Sequence, residues 1–176
     1  MDIPLASMSA KIYSKNGDGG LSSIAKGGPL PKSSTIFDLL GDLDELNSWF
    51  GLLKLEQIQA DLFLLGAIFS GALPYQRDVF SKRVQEIEYQ IDKLSEQLPP
   101  LTNFILPGGT TDSAHIFITR AVCRRVERAL IKTLSSSERL LYSEISRYLN
   151  RLSDYLFVLA RYVLSQAGCS EIVWRH

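Results

Sequence analysis

The 176-residue sequence predicts an all-α protein, an up-and-down bundle of five helices preceded by a glycine-rich loop. Three observations lead there. From Phe37 onward the apolar residues recur every three or four positions, the period of a helix face. Runs with the two-residue alternation of strands are nearly absent. Strong breakers, Pro74, Pro99-Pro100 and Gly168, punctuate the periodic stretches at helix-length intervals.

Each element has its own signal. Lys11 to Lys32 is rich in Gly, Ser, Pro and Lys and reads as loop, with Lys11–Lys15 as one short extended piece. Phe37, Leu40, Leu43, Leu46, Phe50 and Leu53 predict a first helix over Ile36–Gln57. A second, Ala60–Leu73, stops at Pro74; its Gly66 and Gly71 cost stability unless a neighbour packs closely against them. Val79, Val84, Ile87, Ile91, Leu94 and Leu98 form the apolar side of a third, Val79–Leu98. After a loop from Leu101 to Gly109, Thr111 or Asp112 caps a fourth that runs to Leu134. Ser135-Ser-Ser-Glu138 has capping-box spacing for the fifth. Its stripe of Leu141, Ile145, Leu149, Leu152, Leu156, Leu159 and Val163 is closed by Gly168.

Composition narrows the function classes. A chain of this length suits one domain and buries about 70% of its unfolded surface, enough for a real core. Basic and acidic residues balance at 19 each, so any basic cluster is local, which argues for a site rather than a nucleic-acid surface. No apolar run approaches the ~20 residues a membrane span needs. Met1 to Ala10 has neither signal-peptide nor Arg-rich transit character. The expected location is the cytoplasm, or the mitochondrial matrix for a trimmed mature form. Cys123 and Cys169 lack metal-ligand spacing, and Cys123 reads as a small buried residue.

The densest chemical signal is Arg120-Ala-Val-Cys-Arg-Arg-Val-Glu-Arg128. On a helix Arg120, Arg124 and Arg128 share one stripe, with Glu127 beside it. Like charges at this spacing cost about 0.2–0.5 kcal/mol per pair in an isolated helix, so the stripe calls for an anion, either phosphate held bidentately or the carboxylates of a neighbouring helix. Asn16-Gly-Asp-Gly-Gly20 can turn successive backbone N–H groups toward phosphate oxygens, although viewed alone it better suits a plain Asn-Gly or Asp-Gly turn. Lys11, Lys15, Lys26 and Lys32 surround it in sequence, and it is no Walker A loop. Asp18 suits either a divalent cation or the turn itself. Asp42, Asp44 and Glu45 complement a helix N-terminus, and Asp44 also suits orienting one of the arginines. Asn150, four residues from Asp154, suits reading a purine or ribose or bridging two helices; Arg147 and Arg151 read as solvated. There is no Gly-x-Ser-x-Gly, no Ser/His/Asp set, and no paired Glu-x-x-His for a di-metal bundle; Asp112-x-x-His115 stands alone. If such a protein, equipped to hold polyphosphate but lacking a nucleophile of its own, is an enzyme, the substrate or cofactor must bring the reactive atom.

Four segments in order resemble the PduO-type cobalamin (corrinoid) adenosyltransferases. They are Ile12-Tyr-Ser-Lys-Asn-Gly-Asp-Gly-Gly20, Gly41-Asp-Leu-Asp-Glu-Leu-Asn-Ser48, Phe104-Ile-Leu-Pro-Gly-Gly109 with Arg120–Arg128, and Tyr148-Leu-Asn-Arg-Leu-Ser-Asp-Tyr-Leu-Phe157. The resemblance spans about Lys11 to Trp174. It implies a homotrimer of five-helix bundles with active sites between subunits. The implied reaction transfers the adenosyl group of ATP to cob(I)alamin, with reduced cobalt attacking the ribose 5′-carbon and triphosphate leaving. ATP, Mg²⁺ and cobalamin as substrate are the implied ligands. Residues 1–35 become an ATP-binding segment, 36–168 the bundle and 169–176 a tail, all in one domain.

By motif, the resemblance assigns Lys15, Asn16, Gly17, Asp18 and Gly20 to the triphosphate, with Ser22 and Lys32 nearby. Arg120 contacts phosphate and pairs with Asp44 across the subunit interface. Arg124, Glu127 and Arg128 complete the nucleotide environment, Glu127 serving Mg²⁺, and Asn150 binds the adenosine end. Phe104 packs against the corrin and excludes the lower axial ligand, which eases reduction to cobalt(I). The chain departs from the family pattern at Asn16, Leu21, Ile36 and Ile116-Phe117, with His115 displaced. A cobalamin reductase and an adenosylcobalamin-dependent enzyme are the implied protein partners. The alternative role is a carrier that delivers adenosylcobalamin with weak catalysis.

Overall fold

The computed structural model describes Tyr13 and residues 15–175. It is mostly helical, with six helices and one small sheet. The sheet corrects the expectation of loop throughout Lys11–Lys32: β1 (Leu21–Ser23) pairs antiparallel with β2 (Pro29–Pro31), Ser22 opposite Leu30. Three-residue strands are too short for a periodic signal, and proline lacks the N–H of a ladder, so the sequence hides them. The Lys32 N–H closes the hairpin on the Gly20 carbonyl at 2.9 Å. The extended piece foreseen at Lys11–Lys15 lies outside the described residues except for Tyr13 and Lys15, neither of which is in a strand.

Helix α1 (Thr35–Leu53) buries Leu39, Leu43, Leu46 and Phe50 along one face. It stops four residues short of the expected Gln57, because Lys54 adopts the left-handed conformation (φ 56°) and returns its N–H to Gly51. That turn inserts Leu53 and Leu55 against the core and lets the next helix start at Glu56. Helix α2 (Glu56–Phe69) ends before the expected Leu73, where Gly71 at φ 79° lets the Ala72 and Leu73 N–H groups fold back onto Ala67. Helix α3 covers Arg77–Ser95.

Helix α4 (Thr111–Thr133) is capped one residue earlier than foreseen: extended Thr110 accepts from the Ser113 N–H at 3.2 Å. The predicted capping box is present, since Ser135 and Glu138 bond reciprocally, but it opens only the short α5 (Ser136–Leu141). At Tyr142 the chain turns and α6 (Ser143–Gln166) begins, so the fifth expected helix is two. The Tyr142 ring meets Phe69 at a tilt (5.4 Å) and Tyr75 edge to face (5.0 Å), holding the break, and Leu141 points outward instead of starting the apolar stripe.

Helix α6 packs against both α3 and α4, α4 packs against α1, and α1 against α2. The junction of α2 with α3 and α6 adds a polar network to its apolar contacts. Asp61 of α2, 5% exposed, accepts from Tyr148 Oη (3.1 Å), Arg83 Nε (3.1 Å) and Gln57 Nε2 (3.2 Å), tying α2 to α3 and α6. A buried carboxylate is tolerable only with donors of this kind around it. Ile116 and Phe117, two of the departures from the resembled pattern, belong to the core at 3% and 8% exposure. Among the described residues no helix is long and apolar enough to cross a membrane.

Candidate active site

The arginine stripe lies on α4 as the spacing predicted, but its members differ. Arg124 and Arg128 are exposed, and Arg128 Nη1 rests on the Arg124 carbonyl at 3.0 Å. Arg120 is half-buried. Its guanidinium lies over the Phe157 ring, 5.5 Å from the centroid, and its Nε is buried with no hydrogen-bond partner among the described residues. Burial lowers its pKa, and Arg124 one turn away pushes the same way. It remains a cation at neutral pH, but one short of acceptors.

The acids near the start of α1, of which Asp44 is the one expected to orient an arginine, divide. Arg125, off the stripe and not singled out by the spacing, binds Asp42 (Nε–Oδ1 2.9 Å) and also Glu45, linking α4 to α1. Asp44 is exposed, and its side chain has no partner among the described residues. Asp44 and Arg120 are therefore not paired within one chain. Arg125 also lines a cavity of about 300 Å³ with Asp38, Asp42, Arg128 and Lys132, beside the start of α1.

Glu127 and Asn150 do come together. Asn150 Nδ2 donates to Glu127 Oε1 at 3.2 Å, and Asn150 Oδ1 accepts from Arg151 Nη1 at 2.9 Å. Each end of the amide keeps one further hydrogen-bonding site. Arg151 is not the solvated side chain foreseen: half-buried, it binds Glu88 at 2.9 Å and so braces Asn150. Arg147 is exposed and pairs with Glu144.

The glycine loop takes the tight-turn form. Lys15 is left-handed (φ 62°), Asp18 N–H returns to the Lys15 carbonyl (3.2 Å) and Gly20 N–H to Gly17 (3.3 Å). A Cβ at Gly17 would meet Lys32 Nζ at 2.9 Å, so glycine lets the lysine lie across the loop. Asn16, Gly17 and Ser22 line a groove of about 580 Å³, and Asp18 is exposed beside it. Among the described residues no ion pair or hydrogen bond joins Gly17, Asp18, Gly20, Ser22 or Lys32 to Arg120.

Phe104 is 77% exposed, a high value for a phenylalanine. The C-terminal tail presents it. Trp174 N–H donates to the Phe104 carbonyl (2.8 Å), Leu106 N–H to Ile172 (2.8 Å), and the Phe104 and Trp174 rings meet edge to face at 6.4 Å. With Leu101, Thr102 and Asn103 they line a cavity of about 360 Å³. Nothing in the sequence signals this role for the tail, because an isolated bridge between distant segments, Ile105 opposite Val173, leaves no periodic trace. Behind the loop, Gly109 (φ 106°) has no room for a Cβ, which would stand 2.4 Å from Leu164 Cδ1.

Comparison with known proteins decides the family. Residues 12–163 match the cobalamin adenosyltransferase family. The chain belongs to that family. This adenosyltransferase is 39% identical over 179 residues to the cobalamin adenosyltransferase of Cupriavidus metallidurans, covering 94% of this chain and 95% of that one. It is 36% identical over 185 residues to the corrinoid adenosyltransferase MMAB of Mus musculus, covering 94% and 77% of the two chains. The fold is similar to that of a variant PduO-type ATP:corrinoid adenosyltransferase from Lactobacillus reuteri solved with cobalamin and ATP. That match has a TM-score of 0.81 at 28% identity and covers 94% of this chain and 100% of that one.

Proposed function

We propose that this adenosyltransferase transfers the 5′-deoxyadenosyl group of ATP to the cobalt of cob(I)alamin, giving adenosylcobalamin and triphosphate. The observation that carries the reading is Arg120: a half-buried guanidinium with an unpartnered Nε, held by a ring rather than a carboxylate. Such a group is prepared for an anion supplied by substrate. Cobalt(I) is the nucleophile; the Co–C5′ bond forms as C5′–O5′ breaks, and the electron pair leaves with the triphosphate. The chain supplies no nucleophile and needs none. Its work is to align C5′ with cobalt and to stabilise the departing polyanion.

Arg120 takes the phosphate nearest the breaking bond, with Arg124 and Arg128 along the rest of the chain of phosphates. Lys15, Asn16, Gly17, Asp18, Gly20, Ser22 and Lys32 wrap the distal end. Asn150, braced by Glu127 and Arg151, uses its remaining donor and acceptor on the adenosine. The residues suit Mg²⁺ carried mainly by nucleotide: among the described residues no cluster of three metal-type ligands exists, and Glu127 offers one hard oxygen. Bound there, Mg²⁺ would offset the charge of the leaving triphosphate. Phe104, exposed and backed by Trp174, faces the corrin and displaces its lower ligand.

The site is completed by a neighbouring subunit of a homotrimer. Its support is the division among the acids: Arg125 occupies Asp42 and Glu45, leaving Asp44 as the carboxylate available to the Arg120 of another copy. The test is an anaerobic reaction with chemically reduced cobalamin, ATP and Mg²⁺, followed by visible spectrum and triphosphate release. Formation of the light-sensitive adenosyl product supports the reading. Tight binding of both substrates without turnover would point to delivery of adenosylcobalamin instead, and no binding of either would refute both.

A further inference from the structure

Two helices interleave around Phe157. On α4, Phe117 and Arg120 are one turn apart; on α6, Phe157 and Arg161 are one turn apart. The Phe157 ring is met by two cations, Arg120 at 5.5 Å and Arg161 at 6.0 Å from its centroid. Phe117 meets the same ring edge-on at 6.1 Å. The cations are not equivalent. Arg161 is 7% exposed, with Nε on Glu171 Oε1 at 2.5 Å and Nη2 on the Pro99 carbonyl at 2.8 Å, so it is neutralised and anchored. Arg120 makes no direct ion pair among the described residues, and Asp154 acts on it only at longer range.

We propose that Phe157, braced by Phe117 and by the Arg161–Glu171 pair, is the positioning platform that holds the Arg120 guanidinium ready for phosphate. The proposal rests on the adenosyl-transfer reading above. A carboxylate would fix Arg120 equally well, but would occupy its N–H donors and cancel its charge before substrate arrived. An aromatic face holds the cation through the ring quadrupole and commits none of its N–H donors, so the terminal amino groups remain for the anion. An unrestrained arginine carries rotamer entropy that substrate binding would otherwise have to remove. Phe157 touches no reacting atom in this scheme; it acts through Arg120.

The test uses the full-length protein and two conservative replacements. Phe157→Leu removes the π face and keeps an apolar side chain, whereas Phe157→Tyr keeps the face. Equilibrium binding of inorganic triphosphate and the ATP KM and kcat are measured for each, with thermal melting as a check on folding. Phe157→Leu is expected to weaken triphosphate binding and raise the ATP KM by about three- to thirty-fold, and Phe157→Tyr to restore both. Unchanged triphosphate affinity in Phe157→Leu overturns the platform, and so does a Phe157→Tyr variant as defective as Phe157→Leu. If Phe157→Leu does not fold, Glu171→Gln decides: loosening Arg161 from its anchor must weaken triphosphate binding measurably, and an unchanged affinity overturns the proposal. A wild-type protein that binds no triphosphate and makes no adenosylcobalamin refutes the underlying reading instead.

Discussion

Gly71 and Lys26 are in contact so close that a Cβ on the glycine would stand 2.6 Å from Lys26 Cβ. The Lys26 N–H also donates to the Ser70 carbonyl at 3.1 Å. The tip of the β1–β2 hairpin is thus docked on the end of α2, and through it the glycine loop is fixed to the helical body. The glycine that weakened the expected second helix on paper is its terminator and the hairpin's seat.

Gly71→Ala is therefore expected to act twice. A side chain at φ 79° costs about 1 kcal/mol or more, read as a lower urea midpoint. Displacing the hairpin also raises the ATP KM by about ten-fold or more, since small misplacements of binding groups are costly. An alanine variant with wild-type ATP kinetics would separate the hairpin from nucleotide binding.

Asp61 carries a pH signature. Burial raises its pKa above the usual carboxylate value, against the opposing pull of Arg83, Tyr148 and Gln57. The folded state then holds the proton more tightly than the unfolded chain. Its contribution to stability is full below the unfolded pKa of about 3.9 and is lost as pH rises through the folded value. Urea titrations of wild type and Asp61→Asn should show this: the stability of wild type relative to the variant declines as pH climbs above about 4. Tyr148→Phe, which removes a donor to the same carboxylate, should cost about 1.5–3 kcal/mol near neutrality.

The pairing of Asp44 with a neighbour's Arg120 has a decisive mixing test. Arg120→Ala and Asp44→Ala homomers should each lose at least about 100-fold in kcat/KM while keeping their helical spectra. Co-assembled at equal ratio, they should recover about a quarter of wild-type activity, because one interface in four then unites an intact Asp44 with an intact Arg120. No recovery in mixed oligomers would mean that the two residues do not meet across subunits.

Phe104→Ala should leave stability within about 0.5 kcal/mol, because the ring is exposed. It should lower kcat by about ten-fold or more, and the spectrum of bound cob(II)alamin should retain its lower ligand. An unchanged spectrum and rate would remove Phe104 from the corrin site.

Local chemistry made the helices legible. The periodic leucines of α1 and α6, the Ser135–Glu138 box and the Arg120–Arg128 stripe depend on neighbours within a turn or two, and their pattern is written in adjacent residues. The family followed from the same short motifs. Tertiary packing decided what such patterns cannot carry. The break at Tyr142 depends on Phe69 and Tyr75 from elsewhere in the chain, and the left-handed Lys54 on packing of Leu53 and Leu55. The Trp174–Phe104 bridge, the Asp61 network and the choice of Arg125 for Asp42 join residues far apart in sequence. So does the difference among the arginines. All four of that cluster look alike as letters, but among the described residues only Arg120 meets an aromatic face and buries its Nε without a partner, because there α6 brings Phe157 across from α4.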